Sequence, residues 1–367
     1  MATRSPLLYV THVDWGHIRQ RPHHIATGLS AFHQITVAYP LSRQRTRLVA
    51  NADAGIARVP LWRLPGSYRS ARMLAINDAL CAWQLARVIR RVRPSVIAVT
   101  APECYAWVRP SLGHARLAYD CMDDALAFMQ DAGVRARKAA LERELLARAD
   151  AVVASTATLA ARCVERGAVP ARVTVVRNGW DRAAFPVEPS RALPTAGALT
   201  LGYFGTIGDW LDIAALENIV ARCPEALIRL IGPNATGYAG SARRIRVEAP
   251  LPHAQLAAAV ADCDAMLLPF RVDDLTRGVD PVKLYEYIAL GRPIACIGYP
   301  ELERFAAYAT LCRDGDELAS RIASRDLTAA ADLATRTRFL DGNTWEARAR
   351  EFEGALSAAP APMPAPG

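Results

Sequence analysis

Two charged side chains with opposite signs occur three residues apart in the second half of the chain. Lys283 and Glu286 belong to the segment Asp-Pro-Val-Lys-Leu-Tyr-Glu-Tyr-Ile-Ala-Leu-Gly-Arg-Pro, residues 280–293. A spacing of three places both side chains on one face of a helix. An ammonium group is a compact point charge, and a carboxylate offers two acceptor oxygens. The pair has the chemistry of a ligand-binding site, and a surface ion pair on an amphipathic helix has the same spacing.

The residues around this pair predict a short helix with both ends marked. Asp280 is a good N-cap, because its carboxylate can accept from the unpaired N–H groups of the first turn. Pro281 then falls where a missing N–H costs nothing. Gly291 follows the last apolar residue and can adopt the left-handed conformation that ends a helix. The apolar run 294–297 after it predicts a buried parallel strand.

The complete pattern resembles the donor-binding helix of GT-B glycosyltransferases, especially the bacterial retaining group called family four. The resemblance implies that Glu286 accepts hydrogen bonds from the ribose hydroxyls of a nucleotide sugar and that Lys283 holds its diphosphate. The family usually has a second glutamate eight residues before the first, where this chain has Gly278. The residues that would replace its contact to the donor sugar are Asp273, Asp274, Asp280 or the backbone N–H groups of 276–278.

Further donor contacts are expected where strands of the second half end. The predicted strand 199–204 runs into Gly205, and a glycine turn lets backbone N–H groups approach a phosphate; an ordinary strand-to-helix turn has the same sequence. Many relatives place an arginine and a lysine after this turn, and neither is present here. The residues from His253 are expected to cover the nucleotide base. The donor-binding candidates are Glu286, Lys283, Gly205, Thr206, Arg271, Thr276, Arg277, Asn234 and Tyr285.

A polar loop between a predicted strand at 7–10 and a helix starting near His23 is the candidate acceptor site. Parallel α/β sheets bind ligands at the edge where such loops lie. The pattern W-x-x-x-R-x-R-P of the loop resembles a bacterial subgroup of these enzymes that acts in cell-wall and exopolysaccharide synthesis. The resemblance implies that Trp15 presents an aromatic plane to a sugar and that Arg19 and Arg21 bind a phosphate. His23 and His24 are predicted to be structural.

Clustered aspartates follow the predicted strand 116–119. Neighbouring carboxylates raise one another's pKa, which suits a base that accepts a proton from an acceptor hydroxyl. We assign Asp123 as the first candidate for the catalytic group and Asp120 as the second. A helix N-cap and a divalent-metal site are the alternatives for this cluster. Because GT-B enzymes generally need no metal, we expect no metal and no cofactor other than the nucleotide-diphosphate sugar, which is a substrate.

The net charge of +8 is unevenly distributed. Residues 1–195 contain 27 Lys and Arg against 14 Asp and Glu, a charge of +13, whereas the remainder contains 17 against 22, a charge of −5. Such a basic half predicts either an anionic partner or a solvated basic face. The expected partners are a glycan or polyprenyl-diphosphate-linked acceptor and an anionic membrane surface, with no nucleic acid. Much of the excess lies in Arg43, Arg45, Arg47, Arg69, Arg72, Arg87, Arg90, Arg91 and Arg93.

The chain of 367 residues is too long for one ordinary core. Strand–helix alternation in both halves predicts an α/β protein with two doubly wound parallel-sheet domains facing across a cleft. The resemblance implies that this architecture is of the GT-B class. We expect an acceptor-binding domain at 1–185, a proline-containing linker at 186–198 and a nucleotide-sugar domain at 199–343. A helix at 344–357 should pack back toward the first domain, and the tail 358–367 should be disordered.

The predicted activity is transfer of a sugar from a nucleotide-diphosphate donor to a glycan or lipid-linked acceptor in bacterial surface polysaccharide synthesis. A nucleotide-sugar 2-epimerase of the same architecture and a non-catalytic sugar- or nucleic-acid-binding protein are the alternatives. The eight cysteines are scattered and predict buried thiols. No apolar run is long enough for a membrane helix and no signal peptide is present, so we expect a cytoplasmic protein, peripheral at the inner face of the plasma membrane.

Overall fold

The computed structural model describes residues 4–41, 49, 55–65, 71–127, 131–241 and 244–358. The chain divides into two compact units, of which unit 1 comprises Met1–Arg177 with Trp345–Gly367 and unit 2 comprises Asn178–Thr344. The segment 186–198, predicted as a linker, belongs to unit 2 and contains no helix or strand before residue 199. Arg43, Arg45, Arg47 and Arg69, and the tail from residue 359 on, lie outside the described residues.

Unit 1 is built on a sheet of seven parallel strands in the order β3-β2-β1-β4-β5-β6-β7. Its strands are β1 (Pro6–Val10), β2 (Gln34–Pro40), β3 (Ala57–Leu61), β4 (Val96–Val99), β5 (Arg116–Cys121), β6 (Ala151–Ala154) and β7 (Val173–Val175). Its helices are α1 (Arg21–Leu29), α2 (Ala71–Val92), α3 (Pro102–Val108), α4 (Ala132–Arg148) and α5 (Ala157–Glu165), with the last helix of the chain added below.

Unit 2 repeats this plan with six parallel strands in the order β10-β9-β8-β11-β12-β13. Its strands are β8 (Leu199–Phe204), β9 (Ala226–Ile231), β10 (Ile245–Glu248), β11 (Ala265–Leu268), β12 (Ile294–Ile297) and β13 (Thr310–Cys312). Its helices are α6 (Ile213–Arg222), α7 (Leu256–Ala259), α8 (Val282–Leu290), α9 (Gly315–Ala323) and α10 (Leu333–Asp341). The remaining helix, α11 (Trp345–Ser357), belongs to unit 1.

The central strands are apolar along their whole length because sheets of this kind are covered on both faces. Every residue of β4, β6, β11 and β12 is buried. The two strand orders confirm the prediction of two doubly wound parallel sheets. The order reverses between β1 and β4 in unit 1 and between β8 and β11 in unit 2. Ligands bind such sheets beyond the carboxyl ends of the strands that flank this reversal.

The helix predicted around Lys283 is present as α8, and Gly291 ends it in the left-handed conformation, with φ of 69°. The role predicted for Asp280 was wrong. Pro281 occupies the N-cap position, and the buried Asp280 carboxylate accepts from the backbone N–H of Asn178 at 2.7 Å. Arg304 lies 3.2 Å from the same carboxylate and balances its charge.

Two further parts of unit 1 differ from or add to the expectations. Strand β3, which the sequence analysis did not identify, forms at 57–61 and pairs in parallel with β2. Helix α11 packs closely on α1, because a Cβ atom built on Gly28 would lie 2.3 Å from the Cβ of Ala349. The ring of His24 stacks on Trp345 at 4.5 Å, which assigns this histidine a structural role. All eight cysteines are buried free thiols.

Candidate functional site

Lys283 lies against the glycine turn that follows β8. A Cβ atom built on Gly205 would lie 2.2 Å from Cε and 2.7 Å from Nζ of Lys283, so a larger residue here would displace the end of the lysine side chain. The ammonium nitrogen is 5.6 Å from the ring centroid of Tyr203, at the end of β8, and 5.8 Å from that of Phe270, just beyond β11. These are the two strands at which the order of the unit 2 sheet reverses.

The electrostatic surroundings of Lys283 are unfavourable to its own charge. The side chain is half-buried. Burial lowers the pKa of the ammonium, and the negative charge of Glu286 opposes this shift only in part. Within the described part of the chain, no carboxylate forms a salt bridge with Lys283, and its ammonium lies beside the Gly205 turn and two aromatic rings. A cation desolvated without a partner destabilises a fold, so the position favours an anionic ligand.

Glu286 is the buried carboxylate one turn further along α8. Its Oε1 atom lies 2.7 Å from Nε2 of His253, and the carboxyl group is almost fully shielded from solvent. The other ring nitrogen of His253 lies 3.8 Å from the Asp181 carboxylate, and the ring packs edge-on against Phe185 at 5.2 Å. His253 therefore fixes one oxygen of Glu286 and leaves Oε2 for another donor. From the sequence we expected His253 to cover the nucleotide base. The contact with Glu286 was missed because the two residues are 33 positions apart in the chain.

Asp120 of unit 1 is at the centre of a closed hydrogen-bond network. Its carboxylate accepts from the hydroxyl of Tyr9 at 2.5 Å and from Nε of Arg21 at 2.9 Å, and it has no solvent exposure. Nη1 of Arg21 also donates to the carbonyl oxygens of Val176 and Arg177, at 2.8 Å and 3.2 Å. The acid and the guanidinium neutralise each other inside the protein. Asp120 thus has the contacts of a positioning residue.

Asp123 has very different surroundings from Asp120. The half-buried carboxyl group receives no hydrogen bond from any described residue. Burial raises the pKa of Asp123 from 3.8 to about 7, with Asp120 and Asp124 adding to the shift and Arg21 opposing it. A carboxyl group that titrates near neutral pH can accept and release a proton under working conditions. This geometry supports Asp123 over Asp120 as the catalytic group.

Asp124, the third aspartate of the cluster, is held by two arginines. Arg162 donates to it at 2.9 Å and Arg166 at 2.7 Å. Burial favours the protonated acid, but the hydrogen bonds and charge of Arg166 outweigh it and lower the pKa of Asp124. The group stays ionised as part of a structural ion-pair network.

Across the described ranges, no three His, Cys, Asp or Glu side chains converge as a metal site would require.

The structure corrects two of the three acceptor-binding predictions. The indole of Trp15 is buried and stacks on the ring of His23 at 4.0 Å, so it presents no free face to a sugar. The guanidinium of Arg21 donates to Asp120 and to two backbone carbonyls, so it cannot bind a phosphate in the bidentate manner that was predicted. Arg19 is half-buried and stays a prediction.

Several predicted donor-binding side chains are used within the protein instead. Tyr285 is buried, packs against Phe305 at 5.3 Å and donates its hydroxyl hydrogen to Asp280 at 2.9 Å. The Thr276 hydroxyl closes its own loop by donating to the carbonyl of Arg271. The side-chain oxygen of Asn234 accepts a hydrogen bond within its own turn, from the backbone N–H of Gly237 at 3.0 Å. We therefore correct Tyr285 and Thr276, which are buried, from ligand contacts to structural residues, whereas the exposed Asn234 stays a prediction.

The remaining donor-binding predictions lie at the surface of unit 2. Arg271 and Arg277 are exposed, and Thr206, next to Gly205, is half-buried. The backbone N–H groups of 276–278, proposed above as a substitute for the second glutamate, donate instead to Asp273 and Leu275. The group that the structure brings together in unit 2 is thus Lys283, Gly205 and Glu286, with His253 added.

Comparison with known families gives two matches. The family described as a glycosyl transferase 4-like domain matches residues 16–179, and the family described as glycosyl transferase-like matches residues 213–354. Together the two matches cover most of the described chain. Among curated proteins, none matches this sequence significantly.

Several solved structures with this fold can be aligned with nearly the whole chain. HepE from Anabaena in complex with UDP superposes with a TM-score of 0.69 at 14% identity, covering 96% of this chain and 99% of its own. A sucrose-phosphate synthase from Thermosynechococcus elongatus gives 0.75 at 14% identity, with 96% and 98% covered. The lipopolysaccharide outer core galactosyltransferase WaaB, in its apo form, gives 0.65 at 12% identity, with 96% and 99% covered. At these identities the likeness concerns the fold.

Proposed function

We propose, because this chain belongs to the glycosyltransferases of the GT-B fold, that unit 2 binds a nucleoside-diphosphate sugar whose sugar is then transferred to an acceptor hydroxyl. The observation that carries the proposal is the ammonium of Lys283, desolvated beside Gly205 without an anionic partner among the described residues. Structures of HepE with UDP and with UDP-glucose make a uridine nucleotide the first donor to test.

The donor contacts follow from the charge and geometry of α8. Lys283 supplies the positive charge for the diphosphate, which the turn at Gly205 allows to approach closely. Glu286 accepts from the ribose hydroxyls through Oε2, while His253 holds Oε1 at 2.7 Å. The departing nucleoside diphosphate gains negative charge as its bond to the sugar breaks, so the fixed ammonium stabilises the transition state more than the bound donor.

Asp123 is proposed to act on the acceptor. The acceptor oxygen forms a bond to the anomeric carbon, and its proton moves to the Asp123 carboxylate. The bond between the anomeric carbon and the phosphate oxygen breaks, and its electron pair leaves with the nucleoside diphosphate. A pKa of about 7 lets Asp123 take this proton at neutral pH and release it afterwards.

The acceptor is proposed to be a glycan or a polyprenyl-diphosphate-linked sugar of a bacterial surface polysaccharide, met at the inner face of the plasma membrane. The charge of +13 over residues 1–195 supports an acceptor that carries phosphate or lies on an anionic surface. WaaB, which shares the fold, acts in the outer core of lipopolysaccharide.

A thermal-shift comparison tests the donor part of the proposal. UDP should raise the melting temperature of the full chain, since a ligand at 100 times its Kd stabilises by about 2.7 kcal/mol. Glu286→Ala should lower UDP affinity about tenfold to a hundredfold. The matched control is Glu248→Ala, which removes a carboxylate of unit 2 bound by Arg229 and should keep the full UDP shift. An equal loss of shift in both variants, or no shift with UDP, GDP or ADP, would contradict the proposal.

A further inference from the structure

Unit 1 carries a group of exposed apolar side chains on one surface. Trp62, Ile76 and Trp83 are exposed by 52%, 50% and 54%, and Leu64 by 44%. Of the seven tryptophans, all within the described ranges, only Trp62 and Trp83 are exposed. We call these four residues the Trp62–Trp83 face. Large apolar side chains exposed together mark an interaction surface more often than scattered ones do.

Hydrogen bonds attach the loop after β3 to helix α2. The side chain of Asn77 accepts from the backbone N–H of Leu64 at 2.7 Å, and that of Gln84 accepts from the N–H of Trp62 at 3.0 Å. Gln84 also donates to the carbonyl of Trp62 at 2.9 Å. Each of these two polar residues directly follows an exposed apolar residue of α2 in sequence. Trp62 and Leu64 therefore lie next to the part of α2 that carries Ile76 and Trp83.

The same surface is strongly basic. Six exposed positions of α2 recur every three or four residues along one stripe: Arg72, Ile76, Ala79, Trp83, Arg87 and Arg90. Ala75 and Arg91, next to this stripe, are exposed as well. The described stretches 55–65 and 71–93 contain seven arginines and one acidic residue, Asp78, which is paired with Arg137 and Trp107. The guanidinium carbon of Arg87 lies 3.8 Å from the ring centroid of Trp83. Arg87 thus lies beside the exposed ring of Trp83, and none of Arg87, Arg90 and Arg91 forms a salt bridge with a carboxylate of the described residues.

We propose that the Trp62–Trp83 face docks onto an anionic lipid bilayer. Tryptophan rings favour the headgroup level of a membrane, and isoleucine and leucine next to them can enter the acyl boundary. Arginines near the surface gain from the negative potential of anionic lipids. In the described residues no helix has the length and apolarity to cross a membrane. The inference deepens the lipid-linked acceptor of the proposed function, and rests on it.

Charge favours this partner over a second copy of the chain. Two copies meeting through this face would bring Arg72, Arg87 and Arg90 of one copy close to the same exposed arginines of the other, and like charges in contact repel. A single-stranded nucleic acid would satisfy the arginines and stack on the tryptophans. It would leave the exposed side chain of Ile76 beside charged phosphates, whereas a bilayer covers it with apolar chains.

Vesicle sedimentation of the full chain tests the inference. We expect binding to vesicles of 30% phosphatidylglycerol in phosphatidylcholine at low salt and little binding to phosphatidylcholine alone. Arg87→Gln/Arg90→Gln/Arg91→Gln should lower the partition coefficient by at least tenfold. Trp62→Gln/Trp83→Gln should lower it by about tenfold and abolish the blue shift of tryptophan fluorescence on vesicles.

The matched control removes three exposed arginines from unit 2, Arg246→Gln/Arg313→Gln/Arg338→Gln, and changes the net charge equally. It should bind vesicles nearly as well as the wild type. Equal loss in both triple variants would mean that only net charge matters and would overturn the inference. Binding to an oligonucleotide that is tighter than to vesicles, and lost with the two tryptophans, would also overturn it. The UDP thermal shift should persist in every variant, which separates this failure from failure of the donor site.

Discussion

The two units treat their functional charges in opposite ways. In unit 1 the buried Asp120 is neutralised by Arg21 at 2.9 Å and receives a second hydrogen bond from Tyr9. In unit 2 the ammonium of Lys283 lies against Gly205 and two aromatic rings, and no carboxylate pairs with it within the described residues. A charge that the protein itself satisfies holds the fold together. A charge that it leaves unsatisfied costs stability and so indicates where a ligand or a proton is to be received.

The same distinction separates neighbours within each unit. Asp124 is paired with two arginines and its pKa is lowered, whereas Asp123 lacks such a partner and its pKa is raised to about 7. Glu286 is an intermediate case, because His253 occupies one of its oxygens. The comparison therefore predicts that removing an unsatisfied charge impairs function with little loss of stability. Removing a satisfied one should do the reverse.

The largest effect is expected for Asp123→Asn. If Asp123 takes the acceptor proton, the variant should lose about a thousandfold in kcat, since general-base catalysis contributes about 10²–10⁴. UDP affinity should not change. In the wild type kcat/KM should rise about tenfold between pH 6 and pH 8, following ionisation of a group with a pKa of about 7. Steady-state kinetics with a saturating donor would measure both, and a flat profile with unchanged kcat would exclude this role.

The stability of the same variant tests the prediction that removing an unsatisfied charge does not destabilise the fold. Folded Asp123 keeps its proton up to about pH 7, and the unfolded chain releases it near 3.8. Ionisation of Asp123 therefore lowers the free energy of unfolding of the wild type progressively as pH rises through this interval. Asp123→Asn should be more stable than the wild type at pH 8, by about 1–2 kcal/mol, with no difference at pH 4. Asp120→Asn, which leaves Arg21 buried without its partner, should destabilise by about 3–5 kcal/mol in urea unfolding.

The two lysines of the chain provide the next test. Lys283→Met keeps the aliphatic packing and removes the ammonium, and UDP affinity should fall about a hundredfold because hydrogen bonds to charged groups contribute about 1.5–3 kcal/mol. The stability of this variant should be unchanged or higher. Lys138 is paired with Glu103 at 3.1 Å, so Lys138→Met should lower stability and leave UDP affinity intact. Isothermal titration and urea unfolding measure the two effects, and the same response in both variants would refute the comparison.

Local sequence signals predicted the elements that hold the donor site. Pro281 and Gly291 mark the ends of α8 through their own backbone preferences, and the apolar run after them gave β12. The spacing of Lys283 and Glu286 then followed from the period of a helix. These predictions succeeded because each depends on residues that are close together along the chain.

The predictions that failed depend on contacts between distant segments. Arg21 pairs with Asp120 across 99 positions, and Asp280 accepts from Asn178 across 102. Before either pair is brought together, an arginine in a polar loop has the same sequence signature as a phosphate ligand, and an aspartate before a proline has that of an N-cap. Sequence position places such residues near a sheet edge. Only tertiary packing decides which charges are satisfied internally.

The smallest effect on UDP affinity is expected for substitution of Gly205, the glycine next to Lys283. Gly167 has a similar backbone conformation and serves as its control. Gly205 and Gly167 have φ of 126° and 113°, but an added Cβ meets Lys283 only at Gly205 and meets nothing within 4 Å at Gly167. Both alanine variants should lose about 1–2 kcal/mol from the strained conformation. Only Gly205→Ala should displace the ammonium, and its UDP affinity should fall about tenfold. If Gly167→Ala lowered UDP affinity as much, the effect would be one of general destabilisation, and the close approach of Lys283 to the turn would have no functional weight.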